Sequence, residues 1–414
     1  MRAIPLHPLP ETEHDCPYCH KHLEILGWYI PGMRNLAHLR CSTCTNEFYG
    51  DLTAGQAIYT PMLLEEKSGV VHDKHAVKWF ADWLRDSYAN RKSEEISFVV
   101  DKRFPITRQV VLLNCLDTLY GHSLLKLLNA QYLLERNFDL IVIVPSFLTW
   151  MVPEGVAEIW SLDLSLRRGT EWNDWVAREI HTRVEALSSR VSLSLAVSHP
   201  SPKEYDIELF THVKPFPLQR WKERLARPTV TFIWRDDRIW SMSAESPALN
   251  LVQKIRRRTS RSSDSLIMQK RRVIEFAELL RLEWPMLDFG IVGLGEVGAD
   301  IPSWIQDLRC RTMDDGSEQR WCERYAKSHV VIGLHGSNML LPTAHAGSLI
   351  ELIGRERWGN FTQDVLFREA QDPREMFFRY RFMPISTTPQ DLAELTTSML
   401  RGYDPFQTLI SAGH

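Results

Sequence analysis

The stretch SHVVIGLHGSNMLLPTAHAGSLIELI, Ser328–Ile353, decides the reading of the fold. Val330, Val331 and Ile332 form a β-branched apolar run that Leu334 carries to a turn at Gly336. Such runs suit a parallel strand covered on both faces. Ser337 and Asn338 then stand where they can cap a helix, whose first N–H groups lack partners of their own. A second apolar run through Ile353 completes a β-α-β unit. A turn ending in free N–H groups and a positive helix end suits a diphosphate. Glu351, on the second strand, is placed to accept hydrogen bonds from a ribose. The same spacing also describes an ordinary β-α-β unit, and a fold alone does not fix a function.

Around this stretch lies a chain of 414 residues, long enough for two or three domains. Its 44% hydrophobic and 24% charged content is that of a globular protein with ordinary cores. No apolar run approaches the roughly 20 residues of a membrane span. The opening MRAIPLHPLPETEHD has no apolar signal-peptide core, so a cytoplasmic chain is expected. A net charge of −3 gives no global attraction to nucleic acid or anionic membrane.

Of seven cysteines, four make two pairs, Cys16–Cys19 (CPYC) and Cys41–Cys44 (CSTC), separated by 21 residues. Two such knuckles supply a closed tetrahedral S4 shell, with no open position for water or substrate, so a structural zinc ion is expected. A small ribbon over residues 1–58 would gain from the metal what its core lacks. The intervening segment has Lys21, Arg34 and Arg40 but no dense basic cluster. Packing or partner recognition is therefore expected of it, and nucleic-acid binding is not. His20 and His22 lie beside the first knuckle and are expected at the solvent surface.

Residues 59–222 read as a first α/β domain. Ala76–Asp86 is amphipathic, VVLLN (Val110–Asn114) reads as a strand, Ser123–Arg136 as a helix and LIVIVPS (Leu140–Ser146) as a second buried strand. Ligands of such sheets bind outside the carboxyl ends of the strands. The loop Asp117–Ser123 lies at that edge and carries Asp117, Tyr120 and His122. A general base can come from this set, histidine needing the least tuning. In the plainer alternative, His122 caps the helix and Asp117 closes the turn. Ser192–Ala196 and Ile207–Thr211 read as further short strands.

Residues 223–414 read as a second α/β domain. The strand TVTFIW, from Thr229, ends in Arg235-Asp236-Asp237-Arg238, where Arg235 and Arg238 can hold phosphate bidentately or simply pair with the aspartates. The basic run Gln253–Arg272 reads as a solvated charge block. GLGEVG, Gly293–Gly298, matches GxGxxG, but Asp300-Ile301-Pro302 follows at once and Pro302 interrupts the helix a dinucleotide fingerprint requires. Gly293 is instead expected in a loop facing a bound nucleotide or sugar. Glu318–Ala326 and Pro389–Leu400 read as helices. Asp236-Asp237 and Asp314-Asp315 are expected as surface turns.

VVIGLHGSNMLLPTAHAGSLIELI resembles a pattern of glycosyltransferase family 61, in which a strand leads into His-Gly-Ala/Ser, a short helix and an h-I-E-L strand. LDTLYGHSLLKLLNAQYLL is similar to that family's N-terminal segment, with a histidine at the head of a helix. The resemblance implies a GT-B architecture, two Rossmann-like domains facing a cleft, here preceded by the zinc ribbon. It implies an inverting hexosyl- or pentosyltransferase with a nucleotide-sugar donor and a hydroxyl acceptor on a glycan or glycoconjugate. His335, Gly336, Ser337 and Asn338 would contact the donor diphosphate, Glu351 the ribose and Arg235 the phosphates. His122 would face the acceptor, with His122 or Asp117 as base and no catalytic metal. Ser337 stands where the family usually has alanine, and the ribbon and the lack of a membrane span depart from its secretory-pathway members. A peripheral membrane contact stays open. Two rivals remain, a non-catalytic zinc-ribbon protein that binds a nucleotide or partner, and an NAD-dependent oxidoreductase.

Overall fold

The structure, a computed structural model, describes residues 3–6, 10, 12, 14–52, 62–73, 78–187, 190–197, 206–240, 263–296, 301–314, 316–366 and 373–411. The chain forms two compact units, Met1–Phe210 and Thr211–His414. Both are mixed α/β with a parallel sheet at the centre, as the sequence led one to expect.

The first unit contains β1 (Ala3–Pro5) and a five-stranded antiparallel meander of β2 (Leu23–Tyr29), β3 (Leu36–Cys41), β4 (Glu47–Asp51), β5 (Met62–Glu65) and β6 (Val71–Asp73). There follow α1 (Lys78–Ala89), β7 (Phe98–Lys102), β8 (Val110–Asn114), α2 (Tyr120–Leu128), α3 (Ala130–Leu134), β9 (Asp139–Pro145), β10 (Glu158–Leu162), α4 (Asp174–Glu185) and β11 (Val191–Ser194). Strands β11, β8, β9 and β10 run parallel side by side, and β1 and β7 close the edges antiparallel. β8 and β9 are buried along their whole length, which is why these apolar runs became central strands.

The cysteine-bearing meander runs on past residue 58 because β5 pairs with β4, Phe48 opposite Glu65. It shares its core with the parallel sheet, since Trp28, Ile30 and Leu39 pack in one cluster with Val110, Leu112 and Ile141. Asn114, ending β8, adds two polar ties, donating Nδ2 to Gly32 O (3.0 Å) and Asn35 Oδ1 (2.9 Å).

Two expectations are corrected here. Ile207–Thr211 is a short helix, α5, rather than a strand, because Asp206 Oδ1 accepts the Glu208 N–H at 3.0 Å and starts a helical turn. The helix expected over Ser123–Arg136 is two, α2 and α3. They meet at Asn129, whose Nδ2 donates to Lys126 O (2.9 Å) and Val197 O (2.7 Å).

The second unit comprises α6 (Trp221–Arg224), β12 (Thr229–Arg235), α7 (Ser263–Glu283), β13 (Asp288–Leu294), β14 (Gln306–Cys310), α8 (Ser317–Tyr325), β15 (Val330–Leu334), α9 (Leu340–His345), β16 (Ser348–Ile353), α10 (Pro373–Arg379), β17 (Tyr380–Pro384) and α11 (Pro389–Ser411). Its six strands are all parallel in the order β14-β13-β12-β15-β16-β17. Counted within the unit this is 3-2-1-4-5-6, the doubly wound order. The winding reverses between β12 and β15, and sheets of this order bind ligands at the carboxyl ends of the two strands where it does so. Of the basic run Gln253–Arg272, the part before Ser263 lies outside the described residues, as does Gly298, and the rest belongs to α7.

At the other end of β15, buried His329 accepts the Thr229 N–H on Nδ1 (3.1 Å) and faces Trp221 O with Nε2 (3.4 Å). Burial pulls its pKa down to about 4. The folded state therefore holds His329 neutral while the unfolded chain takes up a proton below about 6.5. Stability from this residue is whole above that value and is lost as pH falls toward 4, by up to about 3 kcal/mol. His329→Gln is expected to flatten the stability curve between those two values; an equally steep decline in the variant would count against it.

Candidate functional site

Arg235 ends β12 and Arg238 follows it, while His335 and Gly336 follow β15. All four therefore stand at the carboxyl ends of the strands where the winding reverses. Arg238 donates Nη1 to His335 O, and Arg235 donates Nη1 to Asn338 Oδ1. Gly336 has φ +145°, and a Cβ there would lie 2.5 Å from Arg238 Nη1 and 3.2 Å from Arg235 Nη1. Two guanidinium groups thus lie against one glycine backbone, at a φ that favours glycine, and a side chain there would have to push Arg238 aside. Asp237 partners Arg235 (Nε to Oδ1, 2.7 Å), and that pairing outweighs burial and holds the Asp237 carboxyl below its usual range. Arg238 is shifted down by burial and then by the like charges of Arg235 and Arg357. Crowded, partly dehydrated cations of this kind are relieved by an anion.

His335 is buried, its Nδ1 2.7 Å from Glu351 Oε2 and 3.4 Å from Asp364 Oδ2. Glu351, opposite Gly333 in the β15–β16 register, is 0% exposed. It faces His335 and is not open at the strand end for a ribose. Burial, then the Asp364 charge, pushes Glu351 well above the ordinary carboxylate range. Burial lowers His335, and it raises Asp364 against the pull of His335, Arg238 and the Gly336 N–H. The three side chains are close enough to hold a metal ion. The charges of Arg238 and Arg357 act on His335 and Asp364 of the same cluster.

The turn differs from expectation in one respect. Ser337–Met339 is a single 3-10 turn, α9 has six residues, and no side chain caps either. Ser337 and Asn338 do not act as caps; Asn338 serves Arg235. The positive charge at this turn comes from arginines on a different strand. Gly293, at φ +110°, is a packing requirement, since a Cβ would fall 2.3 Å from Trp234 O on the neighbouring strand. Asp236 accepts the Trp234 Nε1–H (2.7 Å) and Asp314 pairs with Arg320 (2.8 Å), as expected of turn residues; Asp315 lies outside the described residues.

In the first unit, Asp117 follows β8 and α2 begins at Tyr120. Asp117 Oδ1 accepts the Leu119 N–H (3.1 Å), closing the turn, and lies 3.4 Å from His122 Nδ1. Its other oxygen is 2.7 Å from Lys126 Nζ. Burial works against this carboxylate, but Lys126 and then His122 outweigh it and hold its pKa at about 2. Tyr120 stacks on Phe147, with centroids 6.2 Å apart. Sequence reasoning passed over Lys126, although a lone lysine inside the apolar run LLKLL is itself a signal, because a buried cation must be paired. Asp364 and Arg357 carry no such mark.

The four cysteines converge. Cys16 and Cys41 are buried, the four Sγ atoms lie within 4.8 Å of one another, and Cys19 and Cys41 Sγ are 3.5 Å apart. A tetrahedral ion at about 2.3 Å from each sulfur needs separations of about 3.8 Å, so the cage is nearly in place. Each knuckle closes the same way. His20 N–H returns to Cys16 O and Thr45 N–H to Cys41 O, both residues at positive φ. His20 and His22 are exposed, as expected. The Cys44 N–H draws the Cys41 thiol down to about 7, whereas the Cys19 thiol pushes Cys44 up to about 12. Metal binding displaces such shared protons.

No protein-family model matches this chain, and no curated protein does. Among solved structures, the chain is similar to the E. coli ADP-heptose lps heptosyltransferase II (10% identity, TM-score 0.36, 72% of this chain and 100% of that one). It is also similar to the E. coli heptosyltransferase WaaC with ADP (12%, 0.35, 72% and 100%). A third is a putative UDP-N-acetylglucosamine 2-epimerase from Listeria monocytogenes (10%, 0.29, 70% and 66%). These overlays are loose. Among the described residues no helix is long and apolar enough to cross a membrane.

Protein purified under reducing conditions is expected to carry one tetrathiolate-bound metal ion per chain, measured by elemental analysis. Cys41→Ser should lose it and melt at a lower temperature; full metal content in that variant would refute the assignment.

Proposed function

We propose that this chain is a glycosyltransferase that moves a sugar from a nucleotide-sugar donor to a hydroxyl of a glycan or glycoconjugate. The observation that carries the reading is the pair Arg235 and Arg238 pressed on Gly336 where the winding reverses. A nucleoside diphosphate leaving the anomeric carbon develops negative charge, and preorganised cations in a partly dehydrated site stabilise it without a metal ion. His335, held by Glu351, would donate to the same phosphates.

His122 is the proposed acceptor-side base. Its Nε2 takes the proton of the acceptor hydroxyl, the oxygen bonds to the anomeric carbon, and the bond from that carbon to the diphosphate oxygen breaks. A single displacement inverts the configuration. The tetrathiolate would hold zinc in a structural part, since four protein ligands leave no open position.

Three variants separate binding from turnover. His335→Ala is expected to abolish nucleotide binding. His122→Ala should keep binding and slow transfer by about 10²–10⁴-fold. Unchanged transfer in that variant would remove His122 from the mechanism. Asp364 draws on the donors a diphosphate needs, so Asp364→Asn should tighten nucleoside diphosphate binding by roughly five-fold, about 1 kcal/mol. Weaker binding in calorimetry would contradict the placement of the phosphates.

A further inference from the structure

We propose that Lys126 is a positioning residue which, through Asp117, sets the orientation and proton affinity of His122; its catalytic meaning rests on the reading of His122 as the acceptor-side base. α2 carries His122 and Lys126 four residues apart, on one face of the helix. Lys126 is 0% exposed, set among Leu124, Leu125, Leu127 and Leu128. A cation so withdrawn from water persists only where it is paired. Here Nζ lies 2.7 Å from Asp117 Oδ2 and donates to Leu116 O at 3.0 Å. A methionine would fill similar space without the desolvation cost, so packing does not account for the charge.

What the charge does follows from where it sits. With Lys126 on one oxygen, Asp117 remains a carboxylate throughout the range in which an imidazole titrates. Its other oxygen lies 3.4 Å from His122 Nδ1 and favours a proton on that nitrogen, which orients the ring. Lys126 also offsets the field of the buried carboxylate at His122. Among the described residues, other titratable and charged groups stand near this cluster. Cys115 is a buried thiol near Lys126, kept protonated by burial, and Tyr120 shares α2. Arg167 and Arg168 come from the turn whose Gly169 packs on Asp117 and Thr118, Arg168 being engaged by Glu94 and Glu171.

The test is an NMR titration of the full-length protein with labelled histidine, the His122 signal being assigned by its loss in His122→Gln. No substrate is needed. Lys126→Met is expected to raise the His122 pKa by about one pH unit, Asp117→Asn to lower it by a similar amount, and the double variant to lie near the wild type. In transfer assays Lys126→Met should lower kcat with KM unchanged and move the acidic limb of the rate profile upward. A purely structural role would not move that limb. A His122 pKa that stays put in both folded single variants overturns the proposal. If Lys126→Met does not fold, Asp117→Asn decides alone, because it removes the carboxylate that faces His122 Nδ1. Shifts of the expected sign without any nucleotide-sugar turnover would support the coupling and refute the transferase reading, so the two fail separately.

Discussion

Two guanidinium groups held against a single glycine are the constraint on which the rest of the second unit depends. Arg235 and Arg238 reach Gly336 only because β12 and β15 are neighbours, and they are neighbours because the sheet is wound 3-2-1-4-5-6. Glycine at position 336 admits them, and Asn338 and the His335 carbonyl hold them. The cost is burial and then like-charge repulsion, both of which lower the proton affinity of Arg238. Asp237 and Asp364 relieve part of it, and the remainder is an invitation to an anion. The buried His335–Glu351 pair fixes the histidine beneath this charge, which explains why Glu351 sits on the strand and not at its open end.

The first unit builds a comparable device with opposite polarity. There the carboxylate of Asp117 is the centre, and Lys126 and His122 arrange themselves around it at the end of β8. Both devices stand at the carboxyl edge of a parallel sheet, where strand geometry delivers side chains that the core does not need. The cysteine cage has another duty. Cys16 and Cys41 belong to the same apolar cluster as Val110 and Leu112, so the cage fastens the meander to the sheet that carries Asp117.

Much of this was legible in the sequence, and the limits have physical reasons. VVIGL, VVLLN and TVTFIW announced buried strands because apolar runs of that length have few other uses. CPYC and CSTC announced their cage because thiol spacing is close to a geometric specification. Ile207–Thr211 reads as a strand from a weak apolar alternation, which the hydrogen bond that Asp206 accepts from Glu208 outweighs. The local spacing of Ser337 and Asn338 suits caps, whereas Asn338 is taken up by Arg235, more than a hundred residues earlier in the chain. Asp364 escaped because burial of a charge is a property of the folded molecule, and Arg357 because its nearness to His335 is one too. Strand order escaped for the same reason, and with it the meeting of β12 and β15.

The most direct measurement is the thermal stability of purified, metal-retaining protein against a panel of UDP-, ADP-, GDP-, CMP- and dTDP-sugars and NAD(H), with nucleotide release followed in the same samples. The account predicts that a sugar nucleotide raises the melting temperature and is slowly hydrolysed, and that Arg238→Ala loses both responses. Stabilisation by NAD(H) alone, or by none of these compounds, would contradict it.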